Sequence, residues 1–366
     1  MELLRPDDPP RSGPHITLGR LDTEPEHTLP VRRFVARSAD GARDFLVCLP
    51  RVDVDPTRWA IEAEAARRLP LPGFLTVEEV GGTPELPWCA SPYVPALPLP
   101  AALRAHGGPL PEPVVRALGA ALARALATAH AQGVTHAGLS PAAVLLTPDG
   151  PRLSCFGAAR AAAPDGVARS GLPGLEPGSL APEQATGGRP RPLGDVYGLG
   201  AVLAYAVTGH TVPERDELPA SLRELVSACL SRDPGRRPQA HQALAQLEPS
   251  TPPSAHPAPH DPAPHHPAPP HRPTVLDPTT PPAPHHPAPH HPTPPHHALA
   301  QLAPSAPPSA HPAPHHPAPH HPAPPHRPTV LDGAAPVPLP ASVVTALARQ
   351  SAQVLAAELP APLSLF

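Results

Sequence analysis

Apolar residues recur at regular spacing along the first two-thirds of the chain and then stop. Over Val114–Gln132, the residues Val115, Leu118, Leu122, Leu126 and Ala129 fall on one stripe, which predicts an amphipathic helix that Gly133 ends. Phe45-Leu46-Val47-Cys48 has the apolar pattern of a strand, and Trp59 to Leu69 reads as the next helix. Near the C-terminus, Val344, Leu347, Ala348, Leu355 and Ala356 predict a short amphipathic helix over Ser342 to Leu359, between Pro340 and Pro360. Such a helix is marginal alone, so docking back onto the main domain is expected. After Leu247 the periodicity vanishes. Pro249 to Pro328 is dominated by Pro, Ala and His in units such as His-Pro-Ala-Pro-His-His. Proline fixes φ and removes a backbone donor, so no packed structure is expected there.

Three short motifs give the regular part an identity. Ala181-Pro182-Glu183, Asp195-Val196-Tyr197-Gly198-Leu199-Gly200 and Arg232-Asp233-Pro234-Gly235-Arg236-Arg237-Pro238 follow in order. They resemble the Ala-Pro-Glu, Ser-Asp-Val-Tyr-Ser-Leu-Gly and Lys-Asp-Pro-x-x-Arg-Pro motifs of bacterial (actinobacterial-type) serine/threonine protein kinases. In that register His136-Ala137-Gly138-Leu139-Ser140-Pro141-Ala142-Ala143 stands where the family has His-Arg-Asp-Leu-Lys-Pro-x-Asn, and Cys155-Phe156-Gly157 where it has Asp-Phe-Gly.

The resemblance implies an α+β, two-lobed kinase-like fold over residues 16–247. A small β-rich N-lobe (about 16–94) would precede a mostly helical C-lobe (about 95–247). Residues 1–15 read as an N-terminal extension, 248–340 as a disordered Pro/Ala/His-rich linker and 341–359 as the terminal helix. Trp88 to Val94 would be the strand and hinge that hold adenine, with Ser91 beside the adenine pocket and Pro92 and Val94 in the hinge.

The same resemblance implies that this is a degenerate member, a pseudokinase. Phosphoryl transfer needs its phosphates and metal ions held and their charge neutralised. The strand lysine is Cys48, the base that orients the substrate hydroxyl is Gly138, the neighbouring lysine is Ser140, and the two metal ligands are Ala143 and Cys155. Magnesium prefers oxygen ligands, which neither supplies. The Gly-rich phosphate loop is replaced by Asp22-Thr23-Glu24-Pro25-Glu26-His27. Its carboxylates are expected to repel a nucleotide, at a cost on the order of 4 kcal/mol for one like-charge pair about 4 Å apart. Residues with structural roles are kept. These are Glu62 at the helix ion-pair position, His136, Phe156 and Gly157 in packing and backbone positions, Asp195 behind the catalytic loop, and Glu183 with Arg237 tying the activation segment down. No cofactor is expected, beyond ATP without Mg²⁺ at low affinity.

Composition narrows the remaining possibilities. A net charge of −4 makes no electrostatic case for nucleic acid. No apolar run approaches the length of a membrane span and no secretion signal opens the chain, so a cytoplasmic protein is expected. Cys48, Cys89, Cys155 and Cys229 show no CxxC spacing. Cys48 and Cys155 would face one another across the cleft, either as a redox-sensitive or metal-binding pair or simply as small buried side chains.

Most of the 24 histidines lie in the Pro-rich segment, where His265, His266, His285, His286, His315 and His316 are weak candidates for shared transition-metal binding. The segment contains a duplication. The peptide starting at Ala243 recurs at Ala298, and the one starting at Arg272 recurs at Arg327, both 55 residues on. Each copy of the second peptide carries Thr-Val-Leu-Asp, so Thr274 and Thr329 are candidate phosphosites. An active sister kinase or a phosphothreonine reader of the forkhead-associated type would then be a partner. Two other readings stay open: a working transferase that uses untypical groups, and a metal-holding tail on a vestigial domain.

Overall fold

The protein is described here by a computed structural model, which covers residues 1–22, 29, 31–248 and 337–358. The candidate phosphosites Thr274 and Thr329, the six candidate metal histidines and most of the replaced phosphate loop lie outside the described residues.

The N-lobe is an antiparallel sheet with one helix on it. Its elements are β1 (Arg11–Ser12), β2 (His15–Arg20), β3 (Val31–Ser38), β4 (Asp44–Pro50), α1 (Pro56–Arg68), β5 (Glu79–Gly82) and β6 (Pro87–Pro92), with the strands in the order β1-β2-β3-β4-β6-β5. Residues 1–15, expected as an extension, run along the sheet edge. Glu2 and Arg20 exchange backbone hydrogen bonds of 3.0 and 2.9 Å, and Arg20 Nη1 donates to Asp8 Oδ1 at 2.7 Å. Helix α1 begins three residues before the predicted Trp59. The reason is local: Asp55 caps it by accepting from the N–H groups of Thr57 and Arg58, and Pro56 occupies its first turn.

The C-lobe follows. It contains β7 (Leu97–Pro98), α2 (Leu99–His106), α3 (Glu112–Ala131), β8 (Val144–Thr147), β9 (Gly150–Leu153), α4 (Ala158–Ala162), α5 (Pro182–Ala185), α6 (Pro192–Thr208), α7 (Ala220–Cys229) and α8 (Ala240–Leu247). The predicted stripe on α3 is the seam of the core. Val115, Leu118, Leu122, Leu126 and Ala129 are all buried, facing α6 and α8. Full burial of each leucine or valine contributes about 1.5–3 kcal/mol. The terminal helix, α9 (Ala341–Ala356), packs on α2 through Val343 and Leu347. It stops before the predicted Leu359 because Ala357 is already extended, its ψ of 118° lying outside helical values. No described helix is long and apolar enough to cross a membrane.

Two polar knots fix the loops around the cleft. Asp195, buried at the start of α6, accepts the N–H groups of His136 and Ala137, each at 2.8 Å, and lies 2.9 Å from His130 Nε2. Arg237 makes a two-pronged bond to Glu183, both contacts 2.7 Å, and also donates to the carbonyls of Ser231 and Leu193. Its guanidinium carbon sits 5.0 Å from the centre of the Tyr197 ring.

Two stability measurements check these knots. Because Arg237 is fully buried and its partner Glu183 partly so, Arg237→Ala is expected to lower unfolding free energy by about 3–5 kcal/mol in urea melts. Lysine at 237 should recover little, since it cannot reproduce the fork. His136 is buried with Nε2 donating to Ser154 O at 3.0 Å, and burial pulls its pKa down to about 4. The unfolded chain therefore takes up a proton below about pH 6.5 that the folded chain refuses until about pH 4, so stability falls as pH drops through that window. The loss at pH 5 relative to pH 8 is expected to be about 2 kcal/mol from this residue, and that part should vanish in His136→Phe.

Candidate functional site

The cleft between the lobes is floored by β4, β6 and the segment after β9. Cys48 on β4 is in register with Cys89 on β6 on one side and with Arg33 on β3 on the other. These three, with Ser91, Cys155 and Phe156, line one cavity. Its volume is about 60 Å³, room for a few waters when one water needs about 10–15 Å³. Pro92 and Val94 do not line it. The cavity reaches the strand before the hinge and not the hinge itself, where the N–H of Tyr93 donates to Asp44 O at 3.0 Å.

Arg33 dominates the electrostatics. It is completely buried. Its Nε donates to both oxygens of Asp22, at 3.1 and 3.0 Å, and Nη2 closes a second contact to Oδ1. Nη1 crosses to the C-lobe and donates to Ala142 O at 3.1 Å and Ser154 Oγ at 3.2 Å. Burial by itself would lower the guanidinium pKa, but the Asp22 carboxylate overrides it and the net shift is upward. Asp22 is thus a neutralised partner inside the protein, not the free repulsive charge that sequence reasoning expected.

The replaced positions sit around this pair. Ala143 is buried next to the carbonyl that Arg33 holds, and Ser154 Oγ donates to Ala143 O at 2.7 Å. Cys155 follows, 3.6 Å from Ser154 Oγ, its thiol pushed up to about 11 mainly by burial. Cys48 is pushed up as well, by its contact with Cys89 and by burial. All four cysteines are free thiols. Cys48 and Cys155 line one cavity as expected, and Cys89, in register with Cys48, is a third thiol on its wall. Neither Ala143 nor Cys155 presents an oxygen donor, so these two positions do not fit Mg²⁺. Among the described residues no group of three or more His, Cys, Asp or Glu side chains is placed to hold a metal ion.

Gly138, expected at the position of the substrate-orienting base, has no room for a side chain. A Cβ added there would stand 2.4 Å from Cys155 O and 2.7 Å from Ala158 Cβ. Gly138 and Ser140 line a second, smaller cavity of about 20 Å³, with Asp195 at its back and the unpartnered Ser179 Oγ and Gln184 Nε2 on its walls. The backbone on either side is held in an unusual conformation. Ala137 and Cys155 have φ of 54° and 61°, values that cost roughly 1–2 kcal/mol for residues with a Cβ. Such strain persists where the surroundings dictate it. Here they are the Asp195 bonds and the ring cluster of Phe74, His136 and Phe156, with centroids 5.5–6.4 Å apart.

Glu62 has a partner that the sequence did not point to. Its carboxylate is gripped by Arg160 on α4, with Nε 2.8 Å from Oε1 and Nη2 2.7 Å from Oε2. The glycine at 157 is required by that contact, because a Cβ there would lie 2.1 Å from Glu62 Oε2. Arg160 also lies over the Phe156 ring at 5.0 Å. The third unforeseen arginine, Arg169, is fully buried in the activation segment and donates to the carbonyls of Ala159, Ala163 and Gly188. For Arg33 a signal existed: alternation along β3 puts it on the same face as Val31, toward the cleft.

No family model matches the chain. Similar proteins are nevertheless clear. The chain is 35% identical over 283 residues to the probable serine/threonine-protein kinase PkwA of Thermomonospora curvata, covering 71% of this chain and 37% of that protein. It is 33% identical over 273 residues to the serine/threonine-protein kinase AfsK of Streptomyces coelicolor, covering 68% and 33%. The chain thus spans about a third of the length of these curated relatives. Among solved structures, a variant of the Mycobacterium tuberculosis PknI kinase domain superposes with a TM-score of 0.50 at 22% identity, covering 64% of this chain and 94% of that one, which supports the fold alone. With its motifs in order on a two-lobed α+β frame and relatives at this level of identity, the chain belongs to the bacterial serine/threonine protein kinase family.

Proposed function

We propose that this kinase-family protein is a pseudokinase, a cytoplasmic signalling scaffold that does not transfer phosphate efficiently. The observation that carries the reading is the Arg33–Asp22 pair. It lies between the lobes and ties the N-lobe sheet to Ala142 and Ser154, beside the two positions from which the family holds its metal ions. The tight surroundings of Gly138 support the same reading, because a side chain built there would meet Cys155 O and Ala158 Cβ. Four free thiols fit a reducing compartment. The partner is a protein, and the duplicated Thr-Val-Leu-Asp peptides fit a phosphothreonine reader, with an active kinase as the supplier of the mark.

One observation favours a second reading, an atypical active kinase. Arg33 is the cross-strand neighbour of Cys48, so a cation stands one strand away from the missing lysine and could face phosphate if Asp22 released it.

Thermal-shift and phosphate-transfer assays separate the two. The scaffold reading expects no Mg²⁺-dependent shift at millimolar ATP and no labelled phosphate on a protein substrate. A Mg²⁺-dependent shift of several degrees, lost in Arg33→Ala, would instead establish the second reading. Gly138→Asp tests the tight fit at that position: overpacking should lower unfolding free energy by about 1–3 kcal/mol, and transfer activity should not appear. An unchanged melting point with new activity would reverse that conclusion.

A further inference from the structure

Helix α9 crosses the junction of the lobes from one side to the other. In its first turn, Ser342 Oγ lies 3.2 Å from His106 Nδ1 on α2, in the C-lobe. At its middle, Gln350 Oε1 accepts the N–H of Ala96, just past the hinge, at 2.8 Å. At its far end the N-lobe takes hold. Arg37 on β3 donates to Val354 O and Ala357 O, both at 2.8 Å, while its Nε is set by Asp44 at 2.7 Å. The buried face of the helix, Val343, Leu347, Gln350 and Val354, runs along this whole path. Its 16 residues span about 24 Å, enough to reach from one lobe to the other.

We propose that α9 is a releasable brace across the hinge: docked, it holds the lobes together and keeps the cleft shut around Cys48, Cys89 and Cys155; undocked, it lets the cleft open. The inference does not depend on whether the cleft takes nucleotide. Each end of the helix is tied to a different lobe, so the lobes cannot part without breaking one set of bonds. With α9 seated on the C-lobe through Ser342 and Gln350, parting the lobes would pull the Arg37 guanidinium off Val354 O and Ala357 O, which disfavours a half-open state. The last carbonyls of α9 lack an i+4 partner (within the helix, Val354 O accepts only the cap N–H of Ala357, at 3.2 Å), and the Arg37 guanidinium both caps them and complements the helix dipole. A helix this short is marginal alone, so docking and folding are coupled and release is all-or-none.

The test uses the full chain, a small thiol reagent and mass spectrometry at each cysteine. Cys229, buried in the C-lobe on α7, reports global unfolding. Leu347→Asp, which places a charge in the α9 interface, is expected to speed labelling of Cys48, Cys89 and Cys155 about tenfold or more through local opening, with Cys229 unchanged. Gln350→Ala should give a smaller rise at the same three sites. Trypsin cleavage after Arg349 shows that α9 has left its seat. Cleft thiols that label at the wild-type rate while Arg349 is cut would overturn the proposal. So would equal acceleration at all four cysteines, because α9 would then be an ordinary part of the fold.

Discussion

A guanidinium buried between two lobes has to be neutralised and hydrogen-bonded on every side, or the lobes will not close on it. Arg33 meets that demand with one carboxylate and two C-lobe oxygens. The consequences spread outward. Asp22 is drawn in to balance the charge, which draws the chain after β2 toward the cleft. Ser154 is held between Arg33 and Ala143, and that anchors the backbone leading into Cys155 and Phe156. The cavity that remains is small because its polar wall is made of the protein itself. Removing either member of the pair would strand a buried charge, so the two are locked together.

A second lesson concerns what has been retained. Asp195 collects two backbone N–H groups, Glu183 meets Arg237 on both prongs, and Phe74, His136 and Phe156 meet at tilted and edge-on angles. Ala137 and Cys155 carry left-handed backbone angles although neither side chain has any use for them. The Asp195 bonds and the ring cluster therefore hold two residues with a Cβ in a conformation they would not adopt alone. Glu62 follows a different course. Its carboxylate is gripped by Arg160, so the helix α1 is fastened to the segment after Phe156.

Periodicity located the elements well wherever one face is buried. The stripe on α3 and the buried strand at Phe45–Cys48 are both core features, and the core reads out directly as pattern. Element ends were less legible, because caps set them: Asp55 starts α1 earlier than its apolar residues indicate. The motif positions were legible because their spacing is rigid. The ion-pair partners were not, since Arg33 with Asp22 and Arg160 with Glu62 join residues that no local pattern connects. An arginine reads as a surface residue in any sequence count. Only the strand period at Arg33 hinted otherwise, and nothing marked Arg169 as a buried tie.

The chain leaves the C-lobe at Glu248 and comes back at Val337, so the repeat-bearing stretch runs between two fixed anchors. The entropy of joining fixed ends grows only with the logarithm of the length between them, about 0.6 kcal/mol for each doubling. The terminal helix is thus held by its own bonds to Arg37, Ala96 and His106, whatever the length of chain that leads to it.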